Sequence, residues 1–201
     1  MSPRVTPSQT IGPFFHRALI HEGWNDLVAR GAAGERIVIE GRVLDGDGAP
    51  VSDAMIEVWQ ANAAGRYDHP EDLERDEPRE NGCPPRPLDP NFHGFGRIAT
   101  GPDGRFRLRT IRPGPVPDGD GAPQAPHINL SVFARGLLKR LVTRIYFPDE
   151  PLNGADPLLS ALPTGRRATL VARFAESLGD ERTLHFDIVL QGGNETVFLD
   201  V

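Results

Sequence analysis

Apolar and polar residues alternate in short runs along most of this chain, and clusters of Gly, Pro, Asn and Asp separate the runs. Ile37, Ile39 and Val43 alternate with Arg36, Val38, Glu40 and Arg42, the period of a strand with one buried face. Ala54–Gln60 is a second strand, between the turn clusters 45–50 and 61–65. Gly96–Thr100 and Arg105–Thr110 read as a hairpin about Gly101–Gly104, with Phe106 and Leu108 inward and Arg105, Arg107 and Arg109 outward. In 127–135, Ile128, Leu130, Val132 and Ala134 form the core face, and His127, Asn129, Ser131, Phe133 and Arg135 share the other. Leu141–Phe147, Ala168–Phe174, Leu184–Leu190 and Thr196–Leu199 complete the strands, and 149–166 reads as a loop.

Short strands with turn signals between them predict an all-β chain, a β-sandwich of about nine strands with long loops. Helical periodicity is confined to a short segment around Trp24–Arg30. Residues 1–35 therefore read as an extended N-terminal arm with a short helical segment, and 36–201 as the sandwich. The arm carries Ile11, Phe14 and Phe15, which are costly to leave in water and predict that it docks on something. Residues 68–90 are rich in charge and proline and read as a surface excursion.

Composition narrows the function. A net charge of −6 without a basic stripe argues against nucleic acid. A single cysteine, Cys83, excludes an intrachain disulfide and a thiolate metal cluster. No run approaches a membrane span, and residues 1–15 lack a signal-type apolar core, which sets the expectation of a cytoplasmic protein. No P-loop, dinucleotide fingerprint or serine elbow occurs. His16, His21, His69, His93 and His185 fall in separate segments and form no ligand pair. The stretch from Thr110 to Arg135 has a different character: a Pro/Gly-rich approach leading into a strand with His127 and Asn129 on one face. That layout suits a metal, but an amide is a poor ligand for iron or zinc.

Several blocks occur in order that together resemble the intradiol ring-cleavage dioxygenases. They are Thr6–Phe15, Glu57–Asn62, Gly65–Tyr67, Leu88–Phe92, Phe95–Arg97, Thr110–Pro115, Pro126–Leu130 and Glu195–Phe198, nearly the whole chain. The arm, Ala125–Asn129 and Phe133–Gly136 are most similar to the α-type chains of heteromeric members. The resemblance implies a non-haem Fe(III) held by two tyrosinates and two histidines. The matching positions here are about Pro84, Val116, His127 and Asn129, so one ligand of four remains. It further implies that this chain binds no metal and carries no catalytic residue. Fe(III) would belong to a homologous β subunit, and the substrates of the complex would be protocatechuate and O2. His127 then reads as a structural residue satisfied by hydrogen bonds. The substrate-binding candidates are Arg135, for a carboxylate, and Thr10, Gly12 and Pro13, which shape the pocket from the arm. A non-catalytic β-sandwich binding or scaffold module is the alternative, since fold does not imply function.

Overall fold

A computed structural model of the chain describes residues 18–74, 86–118, 121–177 and 179–200. Eleven strands are formed among them: β1 Arg36–Leu44, β2 Met55–Gln60, β3 Phe95–Ala99, β4 Arg105–Ile111, β5 Val116–Pro117, β6 Pro123–Gln124, β7 His127–Phe133, β8 Leu141–Tyr146, β9 Arg173–Phe174, β10 Arg182–His185 and β11 Ile188–Val189. Two sheets face one another. In the first, β1 pairs antiparallel with β4 on one side and parallel with β10 and then β11 on the other, with β9 outside β10. The second has the order β3-β2-β7-β8, antiparallel throughout. The inward positions Ile37, Ile39, Val43, Phe106 and Leu108 of the first meet Ile56, Val58, Ile98, Ile128, Leu130, Val132 and Ile145 of the second in one buried cluster. Burying each such side chain contributes roughly 1.5–3 kcal/mol relative to leaving it exposed, so this layer holds the sheets together.

The departures from the sequence reading have local causes. β3 and β4 do not form a hairpin ladder. Gly101 N–H donates to the Arg105 carbonyl at 2.8 Å, and the turn carries the chain from one sheet to the other, because both flanking strands present apolar faces to the same core. The strand at 184–190 is broken between His185 and Ile188. There Phe186 N–H bonds Glu40 O and Asp187 Oδ1 accepts the Arg42 N–H, each at 2.9 Å. Gly41 makes this crossing possible, since a Cβ there would overlap the Phe186 carbonyl. Thr196–Leu199 forms no strand: it makes an isolated bridge from Leu199 to Val142, and Thr196 N–H donates to the Val189 carbonyl at 2.9 Å. Ala168–Leu170 is a 3-10 turn, which leaves Arg173–Phe174 as the strand.

Residues 149–166 hold a 3-10 turn, Pro151–Gly154, and two short helices, Pro157–Ala161 and Thr164–Arg167. Asp156 caps the first of these, accepting from Leu158 and Leu159 N–H, with Pro157 at the first helical position. The expected helix at Trp24–Arg30 is instead a run of turns with bridges from Asp26 to Arg109 and from Val28 to Phe92. Asp26 turns its carboxylate back onto Val28 N–H, a local bond that competes with helix, and Leu27 is buried in the core. Helical backbone is found at residues 18–19, where the described part begins.

Candidate functional site

The outer face of the second sheet carries the residues of interest. β7 keeps its alternation, with Ile128, Leu130 and Val132 in the core and His127, Asn129 and Ser131 on the outer face. The register sets their neighbours: His127 lies opposite Tyr146, Asn129 between Arg144 and Trp59, and Ser131 opposite Glu57. The approach is a small hairpin, β5 against β6, which buries Val116 opposite Gln124. A second apolar cluster of Ala125, Tyr146, Leu159, Leu170 and Val197 seals this end of the face.

A continuous hydrogen-bond network fills the space. His127, 3% exposed, holds the Ala125 carbonyl with Nδ1 at 2.8 Å. A carbonyl only accepts, so Nδ1 carries the hydrogen and Nε2 is the ring nitrogen left over. Burial, and then the nearby Arg144 guanidinium, push the imidazole pKa down to about 4, against the Ala125 bond and Asp156, so it is neutral at pH 7. Asp156 is fully buried; beside capping its helix it accepts Ala125 N–H at 2.9 Å and the Tyr146 hydroxyl at 3.1 Å. Burial pushes Tyr146 up to about 12. Arg144 donates from Nε to Asn129 Oδ1 at 3.0 Å and from Nη1 to Gln124 Oε1 at 2.8 Å and the Tyr146 hydroxyl at 3.3 Å. The Asn129 amide donates to the Tyr67 hydroxyl at 3.0 Å and the Trp59 carbonyl at 3.3 Å. Tyr67 stacks on Trp59, 5.7 Å between centroids, and burial raises its pKa too. Beside this pair lies a cleft of about 490 Å³, lined by Glu57, His69, Glu71 and Phe95 among others.

The four positions that the intradiol pattern assigns to iron can be tested against this geometry. Pro84 lies outside the described residues. Val116 offers only hydrocarbon. Asn129 is an amide with its oxygen on a guanidinium and its nitrogen on Tyr67. His127 alone retains a ligating atom, and the hydroxyls of Tyr67 and Tyr146 are already engaged, the first by Asn129 and the second by Arg144 and Asp156. No group of three or more His, Cys, Asp or Glu that could hold a metal ion occurs among the described residues. These side chains do not fit a ferric ion, which needs several anionic or imidazole donors at once.

Comparison with known proteins places this geometry in a family. A dioxygenase family model matches residues 11–192. The chain belongs to the intradiol dioxygenases. It is 40% identical to the protocatechuate 3,4-dioxygenase alpha chain of Burkholderia cepacia, over 98% of either chain. It is 42% identical to the beta chain from the same organism, over 96% of this chain but 78% of the other. Among solved structures it resembles the dioxygenase domain of a dioxygenase carbohydrate-binding protein fusion from Streptomyces sp. SirexAA-E, at 29% identity and TM-score 0.62, covering 94% of this chain and 99% of that one. Identity alone thus does not separate α-type from β-type within the intradiol family.

The remaining site candidates of this intradiol chain fall elsewhere. Thr10, Gly12 and Pro13, with the rest of the arm up to residue 17, lie outside the described residues. Arg135 lies past the end of β7, in the turn to β8, eight positions beyond His127 and so roughly 26 Å along the chain. Its side chain is 80% exposed and pairs with the Asp53 carboxylate. The structure therefore does not bring Arg135 to the His127 pocket within this chain; it presents it at the surface. Arg144, Asp156 and Tyr146 are the members that sequence reasoning missed. Arg144 was accessible to it: in Thr143-Arg144-Ile145 the arginine takes the outward position of a strand that pairs with β7.

Proposed function

We propose that this chain is the α-type subunit of a heteromeric protocatechuate 3,4-dioxygenase, and that Fe(III) is held by a homologous β subunit. The observation that carries the reading is the occupation of the ligand positions: Val116 is hydrocarbon, and Asn129 is tied to a guanidinium. End-to-end similarity to an α chain, against 78% coverage of a β chain, supports it.

In this reading the two kinds of chain share the work of one site. The iron of the complex supplies the oxidative chemistry, by which O2 cleaves the ring between the two hydroxyl-bearing carbons and gives 3-carboxy-cis,cis-muconate. This chain binds and shapes. Arg135, exposed on its turn, is free to reach a neighbouring chain, where a planar guanidinium suits the substrate carboxylate better than an ammonium would. Engaging it means exchanging Asp53 for the substrate. Thr10, Gly12 and Pro13 line the same pocket from the arm: glycine permits close approach to a flat ring, and proline fixes the path. Residues 1–15 serve as the docking arm, while the segment around Leu27 is buried against the sandwich of 36–201 that presents the turn. No helix among the described residues is long and apolar enough to cross a membrane.

The test is co-expression with a β-type chain that carries all four ligands. The two should co-purify, and protocatechuate-dependent O2 uptake should require both. A chain that never associates, leaving β-chain activity unchanged, would reduce this protein to a non-catalytic module.

A further inference from the structure

We infer that the Arg144 guanidinium stands in the place of the metal: a built-in cation that holds the vestigial site together and closes it to metal ions. Three of the four ligand positions are described, and Arg144 touches each of them directly or through its cross-strand partner. Its Nε bonds Asn129 itself, the residue opposite it in the ladder. Its Nη1 bonds Gln124, which lies opposite Val116. The same Nη1 bonds the Tyr146 hydroxyl, and Tyr146 lies opposite His127 with ring centroids 5.8 Å apart. One guanidinium thus sits amid the positions on which a metal would be centred.

The charge pattern agrees. No carboxylate is within ion-pair range of Arg144 among the described residues. Its link to one runs through the Tyr146 hydroxyl to the buried Asp156. The bonded partners of Arg144 are an amide oxygen, a second amide oxygen and a phenol, a set that welcomes one positive charge and offers a metal ion little. His127, by contrast, is still arranged as a ligand, with Nδ1 fixed on a backbone carbonyl, the usual support of a metal-bound imidazole. What excludes the metal is then both the missing donors and a like charge already in the space.

The inference rests on the reading that this chain holds no iron, and the experiment separates the two. In the full-length chain, Asn129→His restores a second imidazole beside Arg144, and Asn129→His with Arg144→Met restores it without the cation. Zn(II) and Co(II) are titrated calorimetrically, with Co(II) absorption as a second readout. The double variant should bind Co(II) at least 100-fold more tightly than Asn129→His alone. Arg144→Gln replaces Arg144→Met if the latter does not fold. Asn129→His with Arg144→Lys, which keeps the charge, should stay as closed as the single variant. Equal affinity of the single and double variants, or tight binding with Arg144→Lys, would overturn the role of Arg144 and leave the proposed function standing. Stoichiometric iron in the unmodified chain would overturn that function instead.

Discussion

Asp156→Ala is the substitution to which this site should be most sensitive. The carboxylate is fully buried and accepts four hydrogen bonds, from Ala125 N–H at 2.9 Å, the Tyr146 hydroxyl at 3.1 Å, and Leu158 and Leu159 N–H at 3.0 Å each. Alanine removes all four acceptors at once. Losing the helix cap costs about 1 kcal/mol. The Ala125 N–H, left buried without an acceptor, costs about 1–3 kcal/mol more, and the Tyr146 hydroxyl adds a further loss of the same kind. Arg144 also loses the carboxylate to which it is linked through Tyr146. The sum is roughly 3–7 kcal/mol, and at ~2–4 °C per kcal/mol for a chain of this size the melting temperature should fall by about 6–28 °C. Asp156→Asn keeps one acceptor oxygen and should cost about half as much. Urea unfolding at pH 7 of the three proteins gives the comparison. A loss below about 1 kcal/mol for alanine, or equal losses for alanine and asparagine, would show that the network does not bear on stability as argued.

Two further outcomes are expected. In the α–β complex, Arg135→Ala should raise KM for protocatechuate roughly 10- to 150-fold, the equivalent of about 1.5–3 kcal/mol for a hydrogen bond to a charged group, while the weak turnover of unsubstituted catechol barely changes; equal losses for both substrates would assign Arg135 to assembly. Acid should destabilise the chain through His127, which faces Arg144, Tyr146 and Asp156. Its folded pKa of about 4 lies below the ordinary 6.5, so the unfolded chain takes up the proton first as pH falls. This contribution is complete above about pH 6.5, declines through the window down to about pH 4 and amounts to roughly 3 kcal/mol in all. Unfolding free energies measured across that window should lose this slope in His127→Asn.

The sandwich was legible because its strands obey a period of two and its core residues are β-branched or large. Ile37, Ile39, Phe106, Leu108 and the inward residues of 127–134 all lie where alternation puts them. Pairing was not legible. The parallel match of β1 with β10 joins segments more than a hundred residues apart, and the turn at Gly101–Gly104 reads the same whether it closes a hairpin or crosses between sheets. Asp156-Pro157 is a helix-start signal inside a segment rich in turn residues, and the surrounding prolines and glycines obscured it. The site was half visible. The face shared by His127 and Asn129 follows from one strand alone, whereas Arg144 and Tyr146 join it only through a register that no single strand specifies. Arg135 shows the limit of face-sharing: parity says which side a residue points to, but here the strand ended first.

The central claim is that this chain is the iron-free partner in a shared site, and iron stoichiometry tests it most directly. The chain is purified alone and together with a four-ligand β chain from iron-supplemented cells, and iron per polypeptide and the visible spectrum are measured. The isolated chain should contain well under one iron and show no tyrosinate-to-iron band, while the complex should hold one iron per α–β pair. A coloured preparation of the isolated chain with one iron per polypeptide would contradict the account.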